Sequence, residues 1–430
     1  MNTATLMGIL FMVLIFTGIP ISFATGLATA AYFFLSDMPT LVVPMRLFNT
    51  VDSFSLLAIP LFMLAGDLMN AGGITKRIVE FSSTLVGHIT GGLAHITILA
   101  SMIFAGMSGS CTAAGASVGS MMIPALKKDG YRPEFGVAVV AAAAVLGPVI
   151  PPSIIMVIYA SCTGSSVGRL FLGGVVPGLI IGLLLMIVAY IISRKEGYKP
   201  KYEKWVGPQA VISSFWHSLP ALILPCIIIG GILGGVFTAT EAGVVGVVYA
   251  AIVGFYFKEI RIRDLKPIFL NAAKTSTNIL FLMGTSATLG WILTSIQLPQ
   301  KMTVFLVGIS PDPAVLTLIM LAFVLFLGCF MTDAAIVPIL APLLIPVIRQ
   351  VGIDPIMFGV VLCTTAVAGN LTPPVGGLLF VTSAIGNVSV ITVAKHVLPF
   401  LGAIILALIL CTVFPSLVSA LPTMMLGAGR

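Results

Sequence analysis

The sequence predicts an all-α integral membrane protein built from two related halves that lie in opposite orientations. Composition is the first observation. Only 8% of the 430 residues are charged and 59% are hydrophobic, whereas roughly 25% of a soluble domain is charged. Such a chain could not cover a water-exposed surface, because large apolar patches drive association. We therefore exclude water-soluble enzymes, nucleic-acid-binding proteins and disulfide-rich scaffolds. Lipid forces each segment to pair its own backbone polar groups, so the continuous apolar stretches predict helices.

The apolar stretches, taken in order, predict the elements and their interruptions. In the first half they are about 6–35 (interrupted at 18–20), an amphipathic piece 41–50, a span 54–69, an interfacial helix 74–85, a Gly- and Ser-rich stretch 91–126, a broken span 135–162 and a clean span 170–192. After the polar loop 193–207, they are spans 219–237 and 242–257, a basic segment 258–266, a span 268–296, a stretch 314–348 with a polar centre, a broken span 358–383 and a last span 397–418.

Self-similarity between the halves is the second observation. Pro151-Pro152 and Pro373-Pro374 are separated by an offset of 222 residues, and the same ungapped offset aligns further Gly and Pro residues. The aligned pairs are Gly106 with Gly328, Pro124 with Pro346, Gly130 with Gly352, Pro133 with Pro355, Gly147 with Gly369, Gly164 with Gly386 and Pro177 with Pro399. A run of matches at one offset predicts an internal repeat.

Charge placement indicates that the repeat is inverted. Basic residues flank both ends of the stretch 91–126, which places both ends on the cytoplasmic side and predicts a re-entrant hairpin. The stretch 314–348 has only Lys301 before it and Arg349 after it, so it is expected to enter from the opposite face. Oppositely oriented hairpins in related halves are typical of secondary transporters.

The Pro-Pro interruptions predict where ions and substrate bind. Proline removes backbone donors and frees carbonyls of the preceding turn. Freed carbonyls and half-helix ends supply oxygens for a cation such as Na⁺, and half-helix N-termini favour an anion. The predicted Na⁺ ligands are Ser108, Ser110, Gly147, Val149, Ile150 and Pro152 in one site, and Thr332, Asp333, Gly369, Leu371, Thr372 and Pro374 in the other. The predicted substrate-binding residues are Ser108, Gly109, Ser153, Thr332, Asn370 and Thr372.

Individual charged residues have simpler interpretations. Asp333 is a carboxylate within an apolar stretch, a functional-site hypothesis by default, and could ligate a cation, carry a proton or face a water-filled cavity. We expect Asp67 and Glu241 near span ends as solvated or capping residues, and Arg169 as an anchor. Residues 106–109 match the G-x-S-G of rhomboid-type intramembrane proteases, but no later span carries a central His as base. We therefore predict no catalytic residues and no enzyme.

Four strings carry a resemblance to a known family. They are GMSGSCTAAGASVGSMMIPAL at 106–126, the turn GYRP at 130–133, GPVIPPS at 147–153 and GNLTPPVG at 369–376. The chain resembles the large membrane subunit of TRAP (tripartite ATP-independent periplasmic) transporters, within the wider ion-transporter superfamily. Divalent-anion/Na⁺ symporters are similar in layout but typically show Ser-Asn-Thr at both hairpin tips. The tips here read Ser-Gly-Ser at 108–110 and Met-Thr-Asp at 331–333.

The resemblance implies an elevator-type transporter in the bacterial inner membrane. Na⁺ would drive uptake of an organic acid such as sialic acid or a C4-dicarboxylate, with no organic cofactor. The implied partners are a separate small four-helix membrane subunit and a periplasmic substrate-binding protein. The transport domain would comprise 88–168 and 311–394. The remaining segments would be N-terminal scaffold helices 1–87, scaffold helices 169–310 with the linker 193–207, and a C-terminal helix 395–430. A stand-alone divalent-anion/Na⁺ symporter and a channel remain open as alternatives.

Overall fold

The computed structural model describes residues 3–36, 38–374 and 376–427. Within these ranges the chain forms twenty α-helices and one 3-10 helix. The first ten are α1 (Thr3–Phe16), α2 (Ile21–Leu35), α3 (Val42–Val51), α4 (Ala58–Ala71, after the 3-10 helix Phe54–Leu57), α5 (Ile74–Val86), α6 (Gly92–Ser108), α7 (Cys111–Lys128), α8 (Pro133–Ala144), α9 (Ile154–Thr163) and α10 (Val167–Glu196). The others are α11 (Pro208–Leu233), α12 (Ala239–Tyr256), α13 (Ile262–Ser295), α14 (Leu298–Ile309), α15 (Pro313–Gly328), α16 (Asp333–Val351), α17 (Pro355–Gly369), α18 (Gly377–Gly386), α19 (Val390–Val413) and α20 (Ser416–Leu426).

Among the described residues, seven helical segments are long and apolar enough to cross a membrane. They are Phe54–Ala71, which includes α4, and α10, α11, α12, α13, α16 and α19. The 30 residues of α10 extend over about 45 Å at 1.5 Å per residue. The remaining apolar helices have 10 to 17 residues, fewer than the roughly 20 that a spanning helix needs. The predicted all-α, multi-pass class is confirmed.

Both predicted chain breaks are present. Residues 145–153, here called the first break, separate α8 from α9. The second break separates α17 from α18, and its described residues are 370–374 and 376. The Pro151-Pro152 and Pro373-Pro374 peptide bonds are both cis. The chain is therefore interrupted at equivalent places in the two repeats.

The far ends of the two helical hairpins lie at opposite ends of α10. Hairpin 1 consists of α6 and α7, and the turn beyond it lies at the C-terminal end of α10, where Arg132 forms an ion pair of 3.5 Å with Glu196. Hairpin 2 consists of α15 and α16, and its far end lies at the other end of α10, where Arg349 and Asp354 line one cavity with Arg169. This opposite placement agrees with the inverted repeat inferred from charge.

The two repeats interlock. The second arm of hairpin 1, α7, packs on α18, and the second arm of hairpin 2, α16, packs on α9. Each hairpin thus contacts the second half of the other repeat's broken helix. Helices α10 and α19 pack against each other and against the broken helices. Helix α13 packs against α16 of hairpin 2 and also contacts α2, α3 and α4. Burial of small and aliphatic side chains at these contacts favours a single arrangement of the repeats, because close-packed interiors tolerate few alternatives.

Two predictions about polar residues are confirmed. Glu241 forms a capping box with Thr238, accepting from the Thr238 backbone N–H at 2.8 Å, which satisfies otherwise unpaired donors at the start of α12. Arg169 is an anchor, because its guanidinium donates to the carbonyls of Leu426 at 3.2 Å and Gly427 at 2.9 Å.

The opposite placement of the hairpins predicts the sidedness of two exposed positions. Lys128 lies at the outer end of hairpin 1 and Gln350 at the outer end of hairpin 2. In spheroplasts, a membrane-impermeant maleimide should label Gln350→Cys but not Lys128→Cys, and inside-out vesicles should reverse the result. The unaltered protein reports background labelling of its native cysteines. Labelling of both introduced cysteines from one side would contradict the inverted arrangement.

Candidate functional site

The tip of hairpin 1 packs backbone to backbone against the first break. Gly109 ends α6 at φ +62°, and Ser110 caps α7 by accepting a hydrogen bond from Ala113 N at 3.4 Å. The Gly109 carbonyl accepts a hydrogen bond of 3.3 Å from Ile154 N at the start of α9. A Cβ on Gly109 would stand 2.7 Å from the Pro152 carbonyl oxygen. Only glycine allows this approach, because it combines a left-handed conformation with the absence of a side chain.

The close contact between Gly147 and Ser110 and the helix cap at Ser153 fix the first break. A Cβ on Gly147 would stand 2.7 Å from the Ser110 carbonyl oxygen. Ser153 accepts a hydrogen bond of 3.3 Å from Met156 N and caps α9, and its hydroxyl donates to the Pro148 carbonyl. Capping satisfies donors that the broken helix would otherwise leave unpaired. We call the contact between this break and the tip of hairpin 1 the first seam.

Ser108, the residue before Gly109 of the first seam, carries a buried oxygen without a partner. Its side chain is 3% exposed, and its hydroxyl has no hydrogen-bond partner within the described ranges. A buried hydroxyl without a partner costs about 1–3 kcal/mol, so such an atom calls for a ligand or another explanation. Carbonyl oxygens of Ser110 and Pro152 lie in the same seam. Hydroxyl and carbonyl oxygens are the donors that hard cations prefer, so these residues fit Na⁺.

The second seam joins the tip of hairpin 2 to the second break. A Cβ on Gly328 would stand 2.6 Å from the Cα atom of Gly369, so the two backbones cross without room for a side chain. The Thr372 hydroxyl donates to the Gly369 carbonyl at 2.6 Å and lies 3.1 Å from Cys329 Sγ. The Thr372 backbone N–H bonds the same carbonyl at 2.9 Å. These contacts fix the geometry of the break.

Asn370 connects the two hairpin tips. Its side-chain Nδ2 donates to Asp333 Oδ1 at 3.1 Å and lies 3.8 Å from Cys111 Sγ, the first residue of α7. Asn370 is 3% exposed, so the amide sits between the two seams inside the protein. The structure thus brings together polar groups that are 259 residues apart in the chain.

A cavity of about 340 Å³ opens beside the tip of hairpin 1. One wall is formed by Ser108, Ser110, Thr112 and Ser117 of hairpin 1, and the opposite wall by Gly66, Asp67 and Asn70 of α4 and by Asn271 and Thr275 of α13. Asn271 Nδ2 donates to Asp67 Oδ2 at 2.9 Å. The Ser110 and Thr112 hydroxyls lie 3.0 Å apart. The volume is within the range of pockets that hold small organic ligands.

The predicted site residues divide between the cavity, the seams and neighbouring helices. Ser108 and Ser110 line the cavity, whereas Gly109, Gly147, Pro152, Ser153, Asn370 and Leu371 are buried. The Val149 carbonyl and the Ile150 side chain lie against glycines of α10, at Gly174 and Gly178. Thr332 and Pro374 are exposed, and Asp333 and Thr372 are half-buried. The structure therefore brings the predicted residues of the two Na⁺ sites close to each other at Asn370. Several predicted residues lie instead against α10 or at the surface.

The wall of the cavity opposite hairpin 1 was not predicted from the sequence. The sequence predicts Asp67 near a span end as a solvated or capping residue, whereas Asp67 lines the cavity and accepts a hydrogen bond from Asn271. Asn70 and Thr275 were not singled out. A carboxylate in an apolar helix was an available signal. Its partner is 204 residues away in the chain, a relation that spacing does not reveal.

The family model and the similar proteins identify the same family. The model of the family described as "Tripartite ATP-independent periplasmic transporter, DctM component" matches residues 8–417. The chain is 37% identical over 421 residues to the sialic acid TRAP transporter large permease protein SiaM of Vibrio cholerae, covering 97% of this chain and 98% of that protein. It is 39% identical over 378 residues to the C4-dicarboxylate TRAP transporter large permease protein DctM of Pseudomonas aeruginosa, covering 88% of each.

A solved structure shares the fold. The Alcanivorax borkumensis YdaH transporter superposes with a TM-score of 0.56 at 16% sequence identity, covering 85% of this chain and 87% of that chain. The likeness shows a shared fold and carries no information about the substrate.

Because the backbones cross closely at Gly328 and Gly369, we predict that a side chain at residue 369 destabilises the protein. Gly369→Ala should destabilise the protein by about 1–3 kcal/mol, because an added methyl group meets backbone atoms that cannot move aside. Thermal unfolding in detergent measures the change. Gly402→Ala in α19 is the matched control, since nothing lies within 4 Å of a Cβ there. Equal melting temperatures for the two variants would contradict the close crossing.

Proposed function

The chain belongs to the family of DctM components, the large permease subunits of TRAP transporters, and on this premise we propose that it couples Na⁺ entry to the uptake of an organic acid. In this proposal both seams bind Na⁺, and the substrate binds in the cavity beside hairpin 1. A small membrane subunit and a periplasmic substrate-binding protein complete the transporter in the bacterial inner membrane.

The unpartnered Ser108 hydroxyl is the observation that carries the Na⁺ proposal. It is buried and lines the cavity, one residue before Gly109, whose backbone packs against the first break. A bound Na⁺ would satisfy the hydroxyl oxygen and stabilise the unwound chain between α8 and α9. Backbone without helical pairing is tolerated at membrane depth only when the protein or a polar cavity satisfies it.

The second Na⁺ would bind at the second seam with Asp333 as its charged ligand. Asp333 Oδ1 already accepts a hydrogen bond from Asn370, which orients the carboxylate. Thr372 and Thr332 would add hydroxyl oxygens. Because Asn370 also reaches Cys111 at the other tip, occupation of one seam would favour the arrangement that the other seam needs.

The substrate carboxylate would bind between the hairpin tip and α4. The N-terminal end of α7 lies at this cavity, and the positive end of a helix dipole favours an anion. The relatives named for sialic acid and C4-dicarboxylate transport make these two acids the first candidates.

An elevator movement would expose this site alternately to the two sides. The cavity lies between hairpin 1 and the helices α4 and α13, and a Cβ on Gly66 of α4 would stand only 3.1 Å from Ser108 Cα. The small residue at this contact would let the hairpin slide past α4. In the proposal, the unit that contains both hairpins and both breaks moves, and α4 and α13 remain fixed.

Substitution of Ser108 tests the Na⁺ proposal. In proteoliposomes that contain the complete transporter, Ser108→Ala should reduce Na⁺-driven uptake of radiolabelled sialic acid or succinate at least tenfold and raise the Na⁺ concentration for half-maximal uptake. Ser120→Ala is the control, because Ser120 is exposed on the other arm of the same hairpin and its hydroxyl donates to the Ser117 carbonyl. Unchanged Na⁺ dependence in Ser108→Ala would argue against a Na⁺ site at the first seam.

Omission of the soluble component tests the tripartite assignment. Proteoliposomes with both membrane subunits should accumulate neither acid until the periplasmic binding protein is added. Uptake in its absence would instead identify a stand-alone symporter. Na⁺-independent flux far above transporter rates would identify a channel.

A further inference from the structure

Helix α13 borders a polar cavity at each of its ends. Asn271 and Thr275 line the cavity beside hairpin 1, which we now call the inner cavity. A second cavity of about 470 Å³ is bordered by Trp291 and Thr294, near the C-terminal end of the same helix. The two cavities share no lining residue, and the nearest residues of α13 that line them, Thr275 and Met283, are about 12 Å apart along the helix.

The second cavity lies on the external side in the inferred topology. Helix α13 begins after the basic segment 258–266, which the positive-inside rule places in the cytoplasm. The only basic residue within ten positions after its C-terminal end is Lys301. We therefore call the second cavity the outer cavity. Its walls come from α3 and α13 on one side and from α9 and α16 on the other, so it lies where the hairpin-bearing unit meets the helices beside it.

The outer cavity contains an unpaired guanidinium group. Arg46 of α3 lines it, together with Asn49, Thr50 and Ser161. Arg46 forms no ion pair with any described residue, and none of the residues that line this cavity is acidic. The inner cavity has the opposite character, because Asp67 lines it and no basic residue does.

Trp291 holds the guanidinium over the cavity. The Arg46 Cζ atom lies 5.2 Å from the centroid of the Trp291 ring, a distance at which a cation–π contact is attractive. Trp291 in turn stacks on the buried Phe33, with ring centroids 5.8 Å apart and an interplanar angle of 9°. This packing limits the freedom of the indole, so the guanidinium rests on a fixed surface. An arginine that stacks on an aromatic ring keeps its N–H groups available for a carboxylate.

We propose that the outer cavity binds a carboxylate through Arg46 and holds the organic acid before it reaches the hairpin tips. The proposal rests on the proposed function, because it takes the cargo to be a carboxylate. Arginine pairs with carboxylates by two parallel hydrogen bonds, which gives both attraction and orientation. The guanidinium of the outer cavity attracts the anion from the external side, whereas the inner cavity, which no basic residue lines, binds it through the N-terminal end of α7.

Tryptophan fluorescence provides a direct test. The chain has three Trp residues, and Trp205 and Trp216 are exposed, away from the outer cavity. The substitutions Trp205→Phe and Trp216→Phe remove the other two tryptophans of this chain from the membrane complex. The fluorescence of Trp291 is then obtained by subtracting the fluorescence of the same complex with the further substitution Trp291→Phe. Titration with succinate and with N-acetylneuraminate should change this signal saturably. Added choline chloride should weaken the binding, since salt screens charge interactions.

Substitutions at Arg46 assign the binding to the guanidinium. Arg46→Gln should raise the dissociation constant at least tenfold and raise the KM of uptake with little change in kcat, whereas Arg46→Lys should retain part of the affinity. Lys301→Gln removes a positive charge at the same end of the molecule but outside the cavity, and should leave the affinity unchanged.

Two results would overturn the proposal. One is an unchanged dissociation constant in Arg46→Gln, and the other is a Trp291 signal that responds to neither acid. Both results leave the Na⁺ dependence measured with Ser108→Ala untouched, so failure of the outer site is distinguishable from failure of the proposed function.

Discussion

The close contact between a hairpin tip and a break in the backbone is the constraint on which the rest of this structure depends. A chain that unwinds within an apolar protein must have its polar groups satisfied by its surroundings. At the first seam, Gly109 and Gly147 bring two backbones so close that no side chain fits between them. At the second seam, Gly328 and Gly369 do the same. These contacts collect hydroxyl, carbonyl and carboxylate oxygens in two places that only the duplicated fold brings together.

The interlocked packing explains how two separate seams can act as one site. The second arm of each hairpin packs against the broken helix of the other repeat, and Asn370 links Asp333 to the neighbourhood of Cys111. In the proposed mechanism, a change at one tip would reach the other through this buried amide. The proposed coupling of Na⁺ to substrate needs such a link, because a ligand shifts an equilibrium only through contacts that differ between the two states.

The sequence was sufficient to predict the features that repeat. The all-α membrane class and the chain breaks predicted at 147–152 and 369–374 follow from composition and from glycine and proline spacing. Contacts between distant helices could not be predicted this way. Asp67 with Asn271, and Arg46 with Trp291, pair residues more than 200 positions apart, and no periodicity relates them. Ser153 was predicted to bind substrate, and its capping of α9 was not predicted, because the sequence alone does not show a hydroxyl's neighbours.

The most direct test of the account is a high-resolution cryo-electron microscopy comparison of the complete transporter in sodium chloride and in choline chloride. The account predicts one ordered density beside the Ser108 hydroxyl at the first seam and a second beside Asp333 and Thr372, both lost when choline replaces sodium. Absence of density at both seams in sodium chloride, or density that persists unchanged in choline chloride, would contradict it.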